Sequence, residues 1–182
     1  VEQFEGIGMF LSEATPSGFF FLAPWLVFFP VIGLLINMIF GHRLSEKWIG
    51  MVASLASGAA FVVSVLLAWT VAAGHGHAGS QFVAEWIHIG TLNLDWTFRV
   101  DSLSTTMMLV VSGVGTLIHI YAIGYMHEDV RFKNDLGRFR RFFVFLNLFI
   151  AMMMILVSGD SYLMLFVGWE GVGLCSFLLI GF

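Results

Sequence analysis

Charge is scarce in this chain. Asp, Glu, Lys and Arg make up 11% of its 182 residues, against 59% hydrophobic, whereas a soluble domain of this size carries roughly a quarter charged residues. So little polar surface cannot cover a water-exposed globule, and most of the outside has to face lipid or apolar protein. Cysteine is almost missing too. Cys175 stands alone, which excludes an intrachain disulfide, and one thiolate cannot hold an iron–sulfur cluster. No glycine-rich nucleotide loop follows a strand, so dinucleotide handling by this polypeptide is excluded. The net charge of −4 gives no basic footprint for nucleic acid. The first residues carry Glu2, Glu5 and Glu13 instead of the basic cluster that opens a signal peptide.

What the chain has in abundance is long apolar runs. A hydrocarbon layer about 30 Å thick needs roughly 20 helical residues, and five stretches approach that length. Phe19 to Phe40 has no charged side chain, and Pro24 and Pro30 bend such a span without forbidding it. Ile49 to Ala73 is equally uncharged. Leu103 to Met126 has His119 as its one ionisable group. Phe142 to Ser158 is shorter and borrows a turn from the basic stretch before it. Ser161 to Phe182 carries Glu170. Between the last two spans, "SGDS" supplies Gly159 for a helix end and Asp160 or Ser161 for the next N-cap. The expected fold is an all-α polytopic membrane protein with five transmembrane helices.

One interval breaks the pattern. In "LNLDWTFRV", Leu92, Leu94, Trp96, Phe98 and Val100 alternate with polar residues, a period of two that marks a strand with one buried face. The preceding "FVAEWIHIG" alternates less cleanly, and Gly90-Thr91 can turn the pair into a small β-hairpin at the membrane surface. The chain thus divides into residues 1–80 (two helices and a Gly/His-rich loop), 81–100 (the hairpin) and 101–182 (three helices). In "GHGHAGS", His75 and His77 lack the further ligands a metal site requires, and a loop is the simpler reading.

Basic residues set the expected orientation. Arg43 and Lys47 lie in the first loop, and Arg131, Lys133, Arg138, Arg140 and Arg141 lie around the third. Arg99, in the hairpin, is the exception. The positive-inside rule places the first and third loops inside, with the N-terminus and hairpin outside. The fifth span ends with the chain at Phe182, so a longer parent polypeptide is expected.

A glutamate centred in an apolar span needs a reason. Glu170 lies about 15 Å from the helix start near Asp160, close to mid-membrane. An ionised residue there costs from about 2.5–3.5 kcal/mol upward, and such residues usually face a protein interior that moves ions or protons. Gly168, Gly171 and Gly173 flank it. They read either as a small polar pocket or as surfaces for close helix packing. His119 is the second candidate, about 5 Å from Glu170 in depth if both helices stand upright. Its imidazole titrates near neutrality and can relay a proton. Alternatively it stays neutral, bonded to a helix carbonyl or to Thr116. Tyr121 and Tyr125 suit packing and the interfacial belt, while Ser112, Ser158 and Ser176 could hold water.

The run "GWEGVGLCSFLLIGF", the preceding "RFFVFLNLFIAMMMILVSGDSYLMLF", and "VDSLSTTMMLVVSGVGTLIHIYAIGYMHED" resemble the distal antiporter-like subunit family of respiratory complex I, NADH dehydrogenase subunit 5 or subunit L. The resemblance covers roughly Trp86 to Phe182. It implies an N-terminal fragment of an antiporter-like subunit, in which Glu170 translocates protons together with a lysine from a broken seventh helix. It also implies that flavin, iron–sulfur clusters and quinone belong to partner subunits, with no cofactor or metal here. The implied partners are other membrane-arm subunits, above all the neighbouring antiporter-like one, and lipids. The implied location is a bacterial plasma membrane or mitochondrial inner membrane. Two other readings are a subunit of a multi-subunit sodium/proton antiporter, and a structural subunit in which Glu170 only locks helices together.

Overall fold

The computed structural model describes residues 18–74, 78–90, 92–133 and 136–182. Glu2, Glu5, Glu13, His75 and His77 lie outside the described residues. A 3-10 turn, Phe19–Leu22, leads into α1, Trp25–Phe40. Pro24 stands just before that helix, where a missing N–H removes no intrahelical bond, and Pro30 is accommodated within it. The other helices are α2, Glu46–Ala73; α3, Ser102–Lys133; α4, Leu136–Ser158; and α5, Tyr162–Ile180. Each is long and apolar enough to cross a membrane, the first together with its 3-10 lead. The protein is therefore an integral membrane protein. The fourth span gains its missing length by drawing Arg138, Arg140 and Arg141 into its opening turns.

Helix starts follow the local chemistry. The Asp101 carboxylate accepts from Ser104 N–H at 2.7 Å, while Ser104 Oγ accepts from Asp101 N–H at 2.8 Å. This reciprocal box satisfies two groups that a helix end would leave unpaired. On α5 the cap is Ser161, whose Oγ accepts from Met164 N–H at 3.2 Å.

Between α2 and α3 lies the hairpin of β1, Gly79–Ile89, and β2, Leu92–Val100, paired antiparallel from Gly79↔Val100 to Ile89↔Leu92. Gly90 turns the chain with φ +61, a conformation a side chain would oppose. The register slips between Phe82 and Ala84 and again between Glu85 and Ile87. Each slip inserts an extra residue into β1, which explains why its alternation is blurred and that of β2 is not. Phe98 and Val100 are buried at the helix ends. The strand is pinned to the α4–α5 turn by Asp160 N–H donating to Thr97 O at 3.1 Å and by Thr97 N–H donating to Met164 Sδ at 3.3 Å. Arg99 spans Asp101 at 3.1 Å and Asp160 at 3.6 Å.

α2 packs along α3, α1 lies on α2 and α4, α4 touches α3, and α5 packs chiefly on α4. Beside a buried apolar core that includes Leu26, Leu67, Phe143 and Met154, many large apolar residues stay outside. Trp69, Leu117, Phe166 and Phe177 are exposed, as they should be in a lipid solvent. What lies inside includes small and polar residues. On α3 the buried stripe runs Ser104, Thr105, Met108, Ser112, Gly115, His119, Ala122, Met126, a helical repeat of three and four. Without a hydrophobic drive between helices in lipid, close packing and interhelical hydrogen bonds hold them. A Cβ on Gly33 would stand 2.5 Å from the Ala56 methyl, and one on Gly50 would stand 2.7 Å from Ile123.

Candidate functional site

The hairpin and the α4–α5 turn mark one end of the bundle; the loop with Arg43 and Lys47 and the start of α4 mark the other, basic end. Between them a polar seam runs through the first four helices. Ser64 and Ser112 meet at 3.0 Å, and Ser112 also donates to Met108 O. Toward the basic end, Ser57 and Thr116 meet at 3.0 Å. One turn further, His119 is fully buried, with Nδ1 2.7 Å from Gly115 O and Nε2 2.9 Å from Asn147 Oδ1. Nearer still to that end, Asn37 Nδ2 donates to Ile49 O at 3.1 Å. Below this, a cleft of about 850 Å³ opens between the first loop, α3 and α4, lined by Ile49, Ile123, His127 and Arg140 among others. His127 Nδ1 lies 2.6 Å from Glu46 at its rim.

His119 therefore does bond a helix carbonyl, but its second partner is Asn147, which sequence reading missed. A lone amide in the apolar stretch "FLNLFIAM" was the available signal, because such a group seeks a partner on another helix. Ser57, Ser64 and Asn37 escaped notice for the same reason. Thr116 pairs with Ser57 rather than with the imidazole. Tyr121 and Tyr125 stack on the exposed surface, with centroids 5.8 Å apart. Ser158 and Ser176 each donate to the carbonyl one turn back on their own helices.

Glu170 is placed quite differently. It is eight residues into α5, about 12 Å from the helix start, and it is exposed. Among the described residues its carboxylate has no hydrogen-bond or ion-pair partner. The three flanking glycines divide between two faces. A Cβ on Gly168 would stand 2.6 Å from the Leu156 backbone, and one on Gly171 would collide with Met152, so both are contact points with α4. Gly173 has nothing within 4 Å of the same position. At about 100° per residue, Glu170 is rotated roughly 160° from Gly168. It shares the open face of α5 with Phe166, Gly173 and Phe177.

The two candidates are not brought together. α4 lies between their helices, and α3 and α5 make no extensive contact. Both helices start at the hairpin end, and His119 is seventeen residues along α3. That is about 25 Å by the helical rise, some 13 Å deeper than Glu170 rather than the expected 5 Å. Among the described residues no cluster of three or more His, Cys, Asp or Glu could hold a metal.

Five apolar spans, a hairpin at one end of them and an acid partway along the fifth make a polytopic membrane protein. The family described as NADH-ubiquinone oxidoreductase (complex I), chain 5 N-terminus matches residues 86–143. NADH-quinone oxidoreductase subunit L of Mycobacterium tuberculosis is 45% identical over 159 residues, covering 86% of this chain and 24% of that protein. The Escherichia coli subunit L is 38% identical over 156 residues, 86% of this chain and 24% of that one. NADH-ubiquinone oxidoreductase chain 5 of Aspergillus niger is 36% identical over 157 residues, 86% and 23% respectively. The chain belongs to this subunit L/chain 5 family. It spans about a quarter of the length of the curated relatives it matches.

Proposed function

We propose that the chain is part of the proton-translocating membrane arm of an NADH-quinone oxidoreductase, and that Glu170 is a group through which the proton passes. One observation carries this reading: a carboxylate in mid-span, without a partner among the described residues, on the face of α5 turned away from α4. An acid that only locked these helices together would be bonded within them. On this reading Glu170 meets a cationic or polar side chain from another segment or subunit, which the family resemblance implies is a lysine. Its proton affinity then depends on whether that partner is near. Moving one charge across about 100 mV takes about 2.3 kcal/mol, which a shift of between one and two pKa units, at about 1.36 kcal/mol each, offsets.

On this reading the redox groups sit in partner subunits, and quinone reduction there changes the charge pattern that Glu170 senses. The neighbouring membrane-arm subunits are its partners. The basic loops face the inner side and the hairpin the outer, following the distribution of Arg and Lys. His119 is a second protonatable group within the four-helix unit. Glu170→Gln in the assembled complex is the test. Proton pumping is expected to be lost while assembly and quinone reduction in uncoupled membranes persist. Unchanged pumping overturns the proposal, and activity that follows sodium and ignores NADH assigns the acid to sodium/proton exchange.

A further inference from the structure

His119 faces two acceptors. Gly115 O lies 2.7 Å from Nδ1 and Asn147 Oδ1 lies 2.9 Å from Nε2. A neutral imidazole has one N–H and can donate to only one of them; an imidazolium donates to both. Meanwhile the other end of the Asn147 amide, Nδ2, is buried with no partner among the described residues. It is pressed against the bare Cα of Gly33, where a Cβ would lie 2.9 Å away. Turning the amide over changes every role. Nδ2 then donates to Nε2 of a neutral ring whose Nδ1–H donates to Gly115 O, and Oδ1 faces Gly33. The two arrangements differ by one proton and one amide rotation.

We propose that His119 and Asn147 form a two-state proton site, in which the orientation of the Asn147 amide follows the charge of the ring. In the neutral state the amide nitrogen faces the ring. A proton arriving from water adds at Nε2, forming an N–H bond, and the amide presents its oxygen to that new donor. Asn147 is thus a positioning residue for the imidazole.

A route to the site is marked by a second unused amide. Asn37 is fully buried, and its Oδ1 also lacks a partner among the described residues. Its Nδ2 holds the carbonyl of Ile49, a residue that lines the basic-end cleft. Along α1, Asn37 is one turn from Gly33; along α3, the cleft residue Ile123 is one turn from His119. One buried amide with a free end, Asn37, therefore lies on the cleft side, and a second, Asn147, meets the ring itself. Among the described residues, no acid faces the ring from the elements around it. α1 has no ionisable residue, and α2 carries Glu46 and Lys47 at its basic end, with Glu46 taken by His127. α4 carries Arg138, Arg140 and Arg141 at that same end, the last six residues from Asn147. On α3 itself the other titratable residues are Tyr121 and Tyr125, on the exposed surface, and those from His127 onward.

The proposal rests on reading His119 as protonatable and is independent of Glu170. Infrared difference spectra of the assembled complex between mildly alkaline and mildly acidic buffer, with isotope-labelled asparagine, test it without a variant. An asparagine amide band is expected to shift in step with imidazole ring bands, along one titration. Both signals are expected to vanish in His119→Gln. No asparagine band tracking the imidazole overturns the proposal. Two variants assign the residue through the pH profile of proton pumping. Asn147→Asp should move the profile to higher pH, and Asn147→Leu to lower pH, each by about tenfold in proton concentration. Altered rates with an unmoved profile mean a packing role alone and also overturn it. Loss of pumping in Glu170→Gln with an intact infrared titration leaves this site standing.

Discussion

α3 and α5 each carry an ionisable side chain into the apolar layer, and the bundle treats the two in opposite ways. His119 is enclosed, both ring nitrogens are engaged, and Ser112 and Thr116 on the same helix have partners on α2. Glu170 has the helix-packing surface of α5 behind it and the open side before it. A buried ionisable group with its own partners is a finished piece of protein interior. One on an uncovered face, with no partner among the described residues, is left open to a partner from elsewhere. The asymmetry extends to packing, because α5 leans chiefly on α4 whereas α3 is flanked by both α2 and α4.

The glycines of α5 offer the hardest test of that contrast. If Gly168 and Gly171 hold α5 against α4, enlarging them should separate the helices. Gly168→Leu drives a side chain into the Leu156 backbone, and overpacking of this kind typically costs about 1–3 kcal/mol. Gly173→Ala, three residues and about 300° of helix rotation beyond Glu170 and with open space around it, should be tolerated, with a helix-propensity gain of up to about 1 kcal/mol. Thermal denaturation of the purified complex, followed by retention of this subunit, reads both. Equal sensitivity at positions 168 and 173 would mean that the open face is packed after all.

The two helix starts sharpen the comparison at a smaller scale. Asp101 and Ser104 exchange hydrogen bonds at the start of α3, while α5 begins with the single Ser161 bond. Asp101→Ala should cost about 1 kcal/mol and Ser161→Ala rather less. The Ser104 backbone N–H, aided by the Ser104 hydroxyl and by Arg99, holds the Asp101 carboxyl below its usual range. A lowered pKa stabilises the fold at pH values above the unfolded carboxyl's pKa. That contribution is lost as pH falls through the lower, folded value. Acid titration of stability should therefore show a component that disappears in Asp101→Ala.

How much of this was readable from residues alone depends on the range of the force involved. The five spans were legible because length and apolarity are properties of contiguous sequence, and β2 was legible because its alternation is unbroken. β1 was legible less cleanly, since each bulge resets the phase of the pattern. The basic opening turns of α4 were read only as a borrowed turn, because charge at a helix end is compatible with loop and helix alike. At the site, Glu170 and His119 stood out as ionisable groups in apolar runs. The faces they occupy did not. Gly168, Gly171 and Gly173 read as one group, pocket or packing surface, because they are neighbours in sequence, whereas the helical turn sends the first two to α4 and leaves the third beside the acid. Asn147 and Ser57 were invisible as partners because interhelical register is set by packing, which no single span encodes.

The seam itself supplies the finest contrast. Ser112 bonds both Met108 O on its own helix and Ser64 on α2, and it is completely buried. Ser176, on α5, bonds only Val172 O at 2.9 Å. Removing either hydroxyl frees a carbonyl that already has its helical partner, so the local loss is similar. Only Ser112→Ala also removes a bond between helices. Interhelical hydrogen bonds in membranes average about 0.6 kcal/mol, because the separated helices find substitute partners. Ser112→Ala should therefore cost about that much and Ser176→Ala close to nothing. In the double variant Ser64→Ala with Ser112→Ala, the two losses should be less than additive, since the second change removes a bond already gone. Full additivity in this cycle would show that the serine pair is adjacent without being coupled, and the seam would then be a row of separate side chains instead of a connected polar file.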